Sequence, residues 1–132
     1  MFTLQQIKAA HAKVESGADF PRYIQEIKAL GLIKYTFSVV DGSVSYSGES
    51  GQYLVASGIY DPKTIQLIPR PDELRKDIVT HQQGKSDFMT FCCQAAAAGV
   101  RQWVIDTQRM LCIYEDIHGR EIVTETIPEV GY

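Results

Sequence analysis

The feature that most constrains the fold is a correspondence of the chain with itself. At an offset of 68 residues, Asp19-Phe20 returns as Asp87-Phe88, Tyr23 as Phe91, Ala29 as Ala97 and Gly31-Leu32 as Gly99-Val100. The same offset pairs Tyr35 with Trp103, Phe37 with Ile105, Val44 with Cys112 and Tyr46 with Tyr114. Slipped by one residue, it also matches Ile7-Lys8 to Leu74-Arg75 and Gly17 to Gly84. Self-similarity of this kind implies one supersecondary unit used twice, each copy needing the other to cover its apolar face. The 132 residues are therefore expected to form a single domain, residues 1–132. Its two repeats would run over about residues 2–57 and 70–127. An irregular linker, 58–70, carries Pro62 and Pro69 and runs into Pro71.

Each unit reads as two helices followed by three strands. Thr3 with Gln6 has the spacing of a capping box, and Ile7, Ala10 and Val14 follow at helical intervals until Gly17. Asp19 stands where it can cap the next helix, with Pro21 in the first turn. Phe20, Tyr23, Ile24, Ile27 and Leu30 make one apolar stripe, and Gly31 suits a left-handed C-terminal cap. From Ile33 the period drops to two: Ile33, Tyr35, Phe37 and Val39 alternate with Lys34, Thr36 and Ser38. Asp41-Gly42 is a two-residue hairpin signal, with return strands around Val44–Tyr46 and Gln52–Ser57. In the second unit, helices are expected from Pro71 to Gln82 and from Asp87 to Gly99, the latter apolar nearly all round. Strands follow at 102–107, 110–116 and 120–127, with Gly119 in the last turn. The fold class is α+β: a duplicated ααβββ unit, with antiparallel sheet and helices packed on one face.

Charge narrows the partners. Residues 1–67 carry six basic and six acidic side chains, and residues 68–132 carry seven and ten, for a net charge of −3. Nucleic acid is disfavoured, because phosphate binding depends on clustered Lys and Arg. No apolar run reaches membrane-span length, and the N-terminus lacks the pattern of a secretory signal. Three cysteines, two of them adjacent at Cys92-Cys93, do not make a disulfide framework. A reduced, cytoplasmic setting is expected.

No catalytic constellation stands out. Gly84-Lys85-Ser86 resembles the end of a phosphate loop, but Val79 occupies the position of the required first glycine, so a helix break with an N-cap is the better reading. His11, His81 and His118 are far apart, with no cysteine or histidine at ligand spacing. Neither a cofactor nor a metal site is implied. Cys92 and Cys93 are expected to be buried, unreactive side chains in the most apolar helix. His81, Gln82, Lys85 and Asp87 crowd one junction, which makes them the candidate ligand contacts. Alternation also turns Val104, Leu111 and Ile113 to the face opposite Trp103, Ile105, Cys112 and Tyr114. Three aliphatic side chains on an outer face would form a partner surface, the alternative being that the C-terminal segment 127–132 or the 58–70 linker folds over them.

The run from His81 to Asp106, with Tyr23-Ile24, Gly31, Tyr35 and Asp41-Gly42, carries a family likeness. Within that run it rests on His81-Gln82-Gln83-Gly84, Asp87-Phe88, Cys92, Gly99-Val100 and Trp103 to Asp106. Through these residues the chain resembles the YdfO-like family, small bacterial and prophage-encoded proteins of unknown function, some labelled phage envelope protein. The resemblance implies an α+β fold, a prophage origin and no established activity or functional residues. The leading functional expectation is a non-enzymatic cytosolic interaction or accessory protein, acting through a protein partner or as a homo-oligomer. The alternative is a small-molecule binder or small enzyme with its site where the repeats meet, near His81, Lys85 and Asp87.

Overall fold

The computed structural model describes residues 2–128. Two helices, α1 (Leu4–His11) and α2 (Phe20–Ala29), lead into strands β1 (Leu32–Ser38), β2 (Val44–Gly48) and β3 (Tyr53–Ala56). After the 57–70 connection come α3 (Pro71–Gln82), α4 (Phe88–Ala97), β4 (Gln102–Asp106), β5 (Leu111–Glu115) and β6 (Glu121–Thr126). The six strands form one antiparallel sheet in the order β3-β2-β1-β4-β5-β6. The fold is α+β, with four helices and a six-stranded antiparallel sheet.

The two halves join along β1 and β4, where Thr36 lies opposite Val104 and Phe37 opposite Trp103. One face of the sheet is buried: Leu32, Tyr35, Phe37, Tyr46, Trp103, Ile105, Cys112, Tyr114 and Val123 all join the core. Helical residues Ile24, Ile27, Leu74, Ile78, Phe91, Cys92 and Ala95 supply the other side of that core. At one end of the seam Thr107, fully buried, donates its hydroxyl to the Leu32 carbonyl at 2.6 Å.

Local chemistry explains most element ends. Thr3 and Gln6 form the capping box of α1, and Asp87 accepts the Thr90 N–H at 2.7 Å to open α4. Gly31 and Gly99, at φ +101° and +91°, follow α2 and α4 in the left-handed conformation that glycine adopts most readily. Four expectations need correction. Asp19 does not cap α2; its carboxylate accepts the Glu15 and Ser16 N–H groups and so closes the preceding turn. Asp41-Gly42 is not a two-residue hairpin. Val39 is fully buried and donates its N–H to the Arg101 carbonyl, so the loop widens to residues 39–43. Ile33 is the extra residue of a bulge in β1, which lets Leu32 and Tyr35 both enter the core. Cys93 is exposed rather than buried, because α4 turns only one side to the sheet.

Candidate functional site: an aromatic cavity where the halves meet

Between the helices and the inner face of the sheet lies a cavity of about 1310 Å³. Strand pairing sets the inner face of the sheet in two rows, which give the cavity its floor except at Ile105 and Val123. One runs Tyr46, Tyr35, Ile105, Cys112 and Glu125; the other runs Val44, Phe37, Trp103, Tyr114 and Val123. Tyr23 reaches in from α2, Ile78 and His81 from α3, and Phe88 and Phe91 from α4. Phe37 and Trp103 are stacked with ring centroids 4.3 Å apart, and Phe88 meets both rings edge-on. These contacts hold one wall rigid.

Apart from the Trp103 indole and the Cys112 thiol, the buried polar side chains that line the cavity are phenols. Tyr23, Tyr35 and Tyr114 are each 7% accessible and Tyr46 is 8% accessible, so each is nearly buried. No hydrogen bond ties the hydroxyls of Tyr23, Tyr35 or Tyr46 to another described residue, yet none of these oxygens is sealed off. The one sealed, unpartnered side-chain polar atom among the described residues is Gln94 Oε1. Tyr23, Tyr35 and Tyr46 all line the cavity, so their hydroxyls are within reach of a polar group bound there. Tyr114 brings a fourth phenol to the same lining, beside the Cys112 thiol whose acidity it affects.

Burial sets the protonation of this cluster. It raises the pKa of Tyr23, Tyr35, Tyr46 and Tyr114 above the ordinary phenol value, and proximity of the phenols to one another adds to this for Tyr23 and Tyr35. Burial likewise pushes the Cys112 thiol up to about 12, partly offset by the Tyr114 hydroxyl. All five groups are therefore neutral near pH 7 and can donate or accept hydrogen bonds. None is a ready nucleophile or base.

The residues marked out in the sequence divide between two faces. His81, Gln82, Lys85 and Asp87 all line the cavity and sit together at its rim. His81 Nδ1 lies 3.1 Å from the Ser86 carbonyl oxygen, and its ring stacks on Phe91 at 4.7 Å. Desolvation lowers its affinity for a proton, against weaker opposing effects of Ser86 and Asp87. Gly84 ends the α3 turn with φ +74°, in keeping with a helix break. Val104, Leu111 and Ile113 lie on the sheet face away from the helices and are half-buried. Val104 is flanked there by Thr36 and Ile113, and Leu111 by Asp106 and Thr126.

The tyrosine cluster and Glu125 were not singled out as site residues from the sequence. The tyrosines read as ordinary aromatic core. A signal did exist: inward positions carry Tyr where Phe would bury as well without a hydroxyl to satisfy. Glu125 had a clearer one, a carboxylate at the strand parity of Val123 and Ile127, both of which are buried.

Among the described residues, no group of three His, Cys, Asp or Glu side chains is placed to hold a metal ion. No described helix is long and apolar enough to cross a membrane. A family model described as "Protein of unknown function (DUF1398)" matches residues 8–126, from within α1 to the end of β6. The chain belongs to this DUF1398 family. No curated protein matches it. For this DUF1398 chain, functional argument rests on the cavity and the surfaces around it.

Proposed function

We propose that this protein binds a small organic molecule in the cavity between its halves, as a binding protein rather than an enzyme. One observation carries the reading: an aromatic hollow of about 1310 Å³ lined by Tyr23, Tyr35 and Tyr46, whose hydroxyls have no hydrogen-bond partner among the described residues. Mostly apolar walls with a few convergent polar groups are the usual composition of a ligand site. The neutral state of the phenols and of Cys112 supports binding over catalysis, since a proton-transfer group works best with a pKa near the ambient pH. We further propose that the two halves are copies of one ααβββ unit. The seam supports this, because Thr36 faces Val104, the residue 68 positions on, as a local two-fold axis requires.

Trp103, the single tryptophan, lies on the cavity floor and reports occupancy directly. The test is protein purified from its native host, analysed by native mass spectrometry and then stripped and titrated while Trp103 fluorescence is followed. A co-purifying mass that is lost on unfolding, and that restores the fluorescence change when added back, is expected. Ala56→Trp, which projects a bulky ring into the cavity from β3, should reduce the co-purifying mass without loss of the fold. Identical behaviour of filled and unfilled protein would remove the proposal.

A second reading, an interaction protein acting through Val104, Leu111 and Ile113, has its own support. Among the described residues no helix packs on the outer face of the sheet, and Val55 lies 56% exposed at the end of the same row as Val104 and Ile113. Leu111→Ser with Ile113→Ser should then abolish self-association or partner capture with the fold intact. Loss of folding would instead make these residues core. The prophage origin implied by the YdfO-like resemblance favours neither reading.

A further inference from the structure

We infer that the molecule bound in this cavity is an aromatic organic cation, and that Glu125 is the residue selecting its charge; this rests on the cavity being a binding site. The sheet contributes ten residues to the cavity lining, and Glu125 is the one that carries a formal charge. It stands opposite Cys112 in the β5–β6 pairing, on the inward side of β6, and is half-buried. It forms no ion pair or hydrogen bond with another described residue, so its charge is uncommitted. Its field reaches Cys112 and Tyr114, which places negative potential over the floor.

The surroundings favour the same sign. Aromatic faces and phenol oxygens attract cations, and Phe, Tyr and Trp side chains line the interior. An anion would find no buried counter-charge. The lining lysines, Lys8 and Lys85, are exposed at the rim, where Glu15 and Asp87 accompany them and water screens all four. A carboxylate or phosphate carried inward would lose its hydration without a cationic partner. An aliphatic chain would leave the tyrosine hydroxyls unsatisfied. A flat ring system bearing a delocalised or protonated nitrogen meets all three conditions: stacking, hydrogen bonding and charge.

The test uses dyes of similar size and opposite charge. Binding of rhodamine 6G, of fluorescein and of the uncharged dye Nile red is followed by fluorescence anisotropy with the full chain. Rhodamine 6G is expected to bind at least about ten-fold more tightly than fluorescein, the scale of one partly desolvated charge contact. Glu125→Gln should remove about ten-fold of rhodamine affinity and leave Nile red unchanged. Glu121→Gln, the same charge change on the same strand but outside the cavity lining, should alter neither. Thermal unfolding of both variants checks that folding is intact. Equal binding of the three dyes, or indifference of rhodamine binding to Glu125→Gln, overturns the charge assignment while leaving a binding site. Failure of all three dyes to bind, with Ala56→Trp behaving like the unaltered protein, overturns the site itself and this inference with it.

Discussion

The two halves of the molecule share an element order but not an interior. In the second half, the inward positions of α4 beyond the cavity are small: Cys92, Ala95 and Ala96 sit beside Phe91, all at 5% exposure or less. The connection then covers its far end, with Gln66 and Arg70 donating N–H groups to the Ala96 and Ala98 carbonyls. In the first half, α2 turns Tyr23 toward Tyr35 and Tyr46, and bulky rings with polar tips hold the layers apart. Small side chains allow the layers to close; phenols whose hydroxyls lack partners leave a hollow. Side-chain size, not element order, decides where the layers close and where the hollow, lined from both halves, remains.

The largest expected effects fall on the solid part. Ile105→Ala, at a fully buried central position, should lower stability by about 2–5 kcal/mol in urea unfolding. Ala95→Leu, which forces extra volume beneath α4, should cost about 1–3 kcal/mol. Tyr35→Phe removes a hydroxyl that has no partner among the described residues, so it should change stability little and ligand binding more. A loss from Tyr35→Phe as large as that from Ala95→Leu would break the contrast between the halves.

The helix-ending glycines sharpen it further. A Cβ on Gly99 would lie 2.9 Å from Pro69 Cα, whereas one on Gly31 would meet nothing within 4 Å. Both have positive φ, so Gly31→Ala should cost about 1 kcal/mol from backbone strain. Gly99→Ala should cost more, since the connection must also move. Equal melting temperatures for the two variants would mean that the connection yields freely.

Thiol labelling separates the two sides of α4. Cys93 is exposed, with Lys63 Nζ 3.3 Å from its sulfur, and should react promptly with a thiol reagent under native conditions. Cys92 and Cys112 are buried, and burial raises both thiols, to about 11 and about 12; they should react only on unfolding. Mass spectrometry of the labelled protein counts the sites.

The smallest effect is in pH. Burial lowers the proton affinity of His81 in the folded state from the usual 6.5. The folded protein thus binds fewer protons at this site than the unfolded chain does. The contribution is complete above about pH 6.5 and is lost as pH falls through the lower folded value. His81→Gln should flatten the stability profile in that window; an unchanged slope would assign it to other groups.

Much of the architecture was legible before the fold was known. Residues Pro71–Gln82 form a helix at the expected bounds, since Pro71, Asp72 and Glu73 suit a helix start and the apolar spacing is helical. Gly31 and Gly99 end their helices because φ near +100° is strained for other residues. The rim residues His81, Gln82, Lys85 and Asp87 were legible as a cluster because they are close in sequence. The tyrosine group was not. Tyr23, Tyr35, Tyr46 and Tyr114 come from α2, β1, β2 and β5, and only strand pairing and helix packing bring them to one hollow.

The sequence by itself determined periodicity, turns and the inward or outward parity of each strand, because these depend on residues a few positions apart. Tertiary structure decided where Asp19 spends its hydrogen bonds, how far the 39–43 loop opens, and which side of α4 exposes Cys93. It also decided that the layers stay apart over the tyrosines and Glu125. These outcomes depend on the volumes and polar partners of residues distant in the chain, which local pattern does not encode.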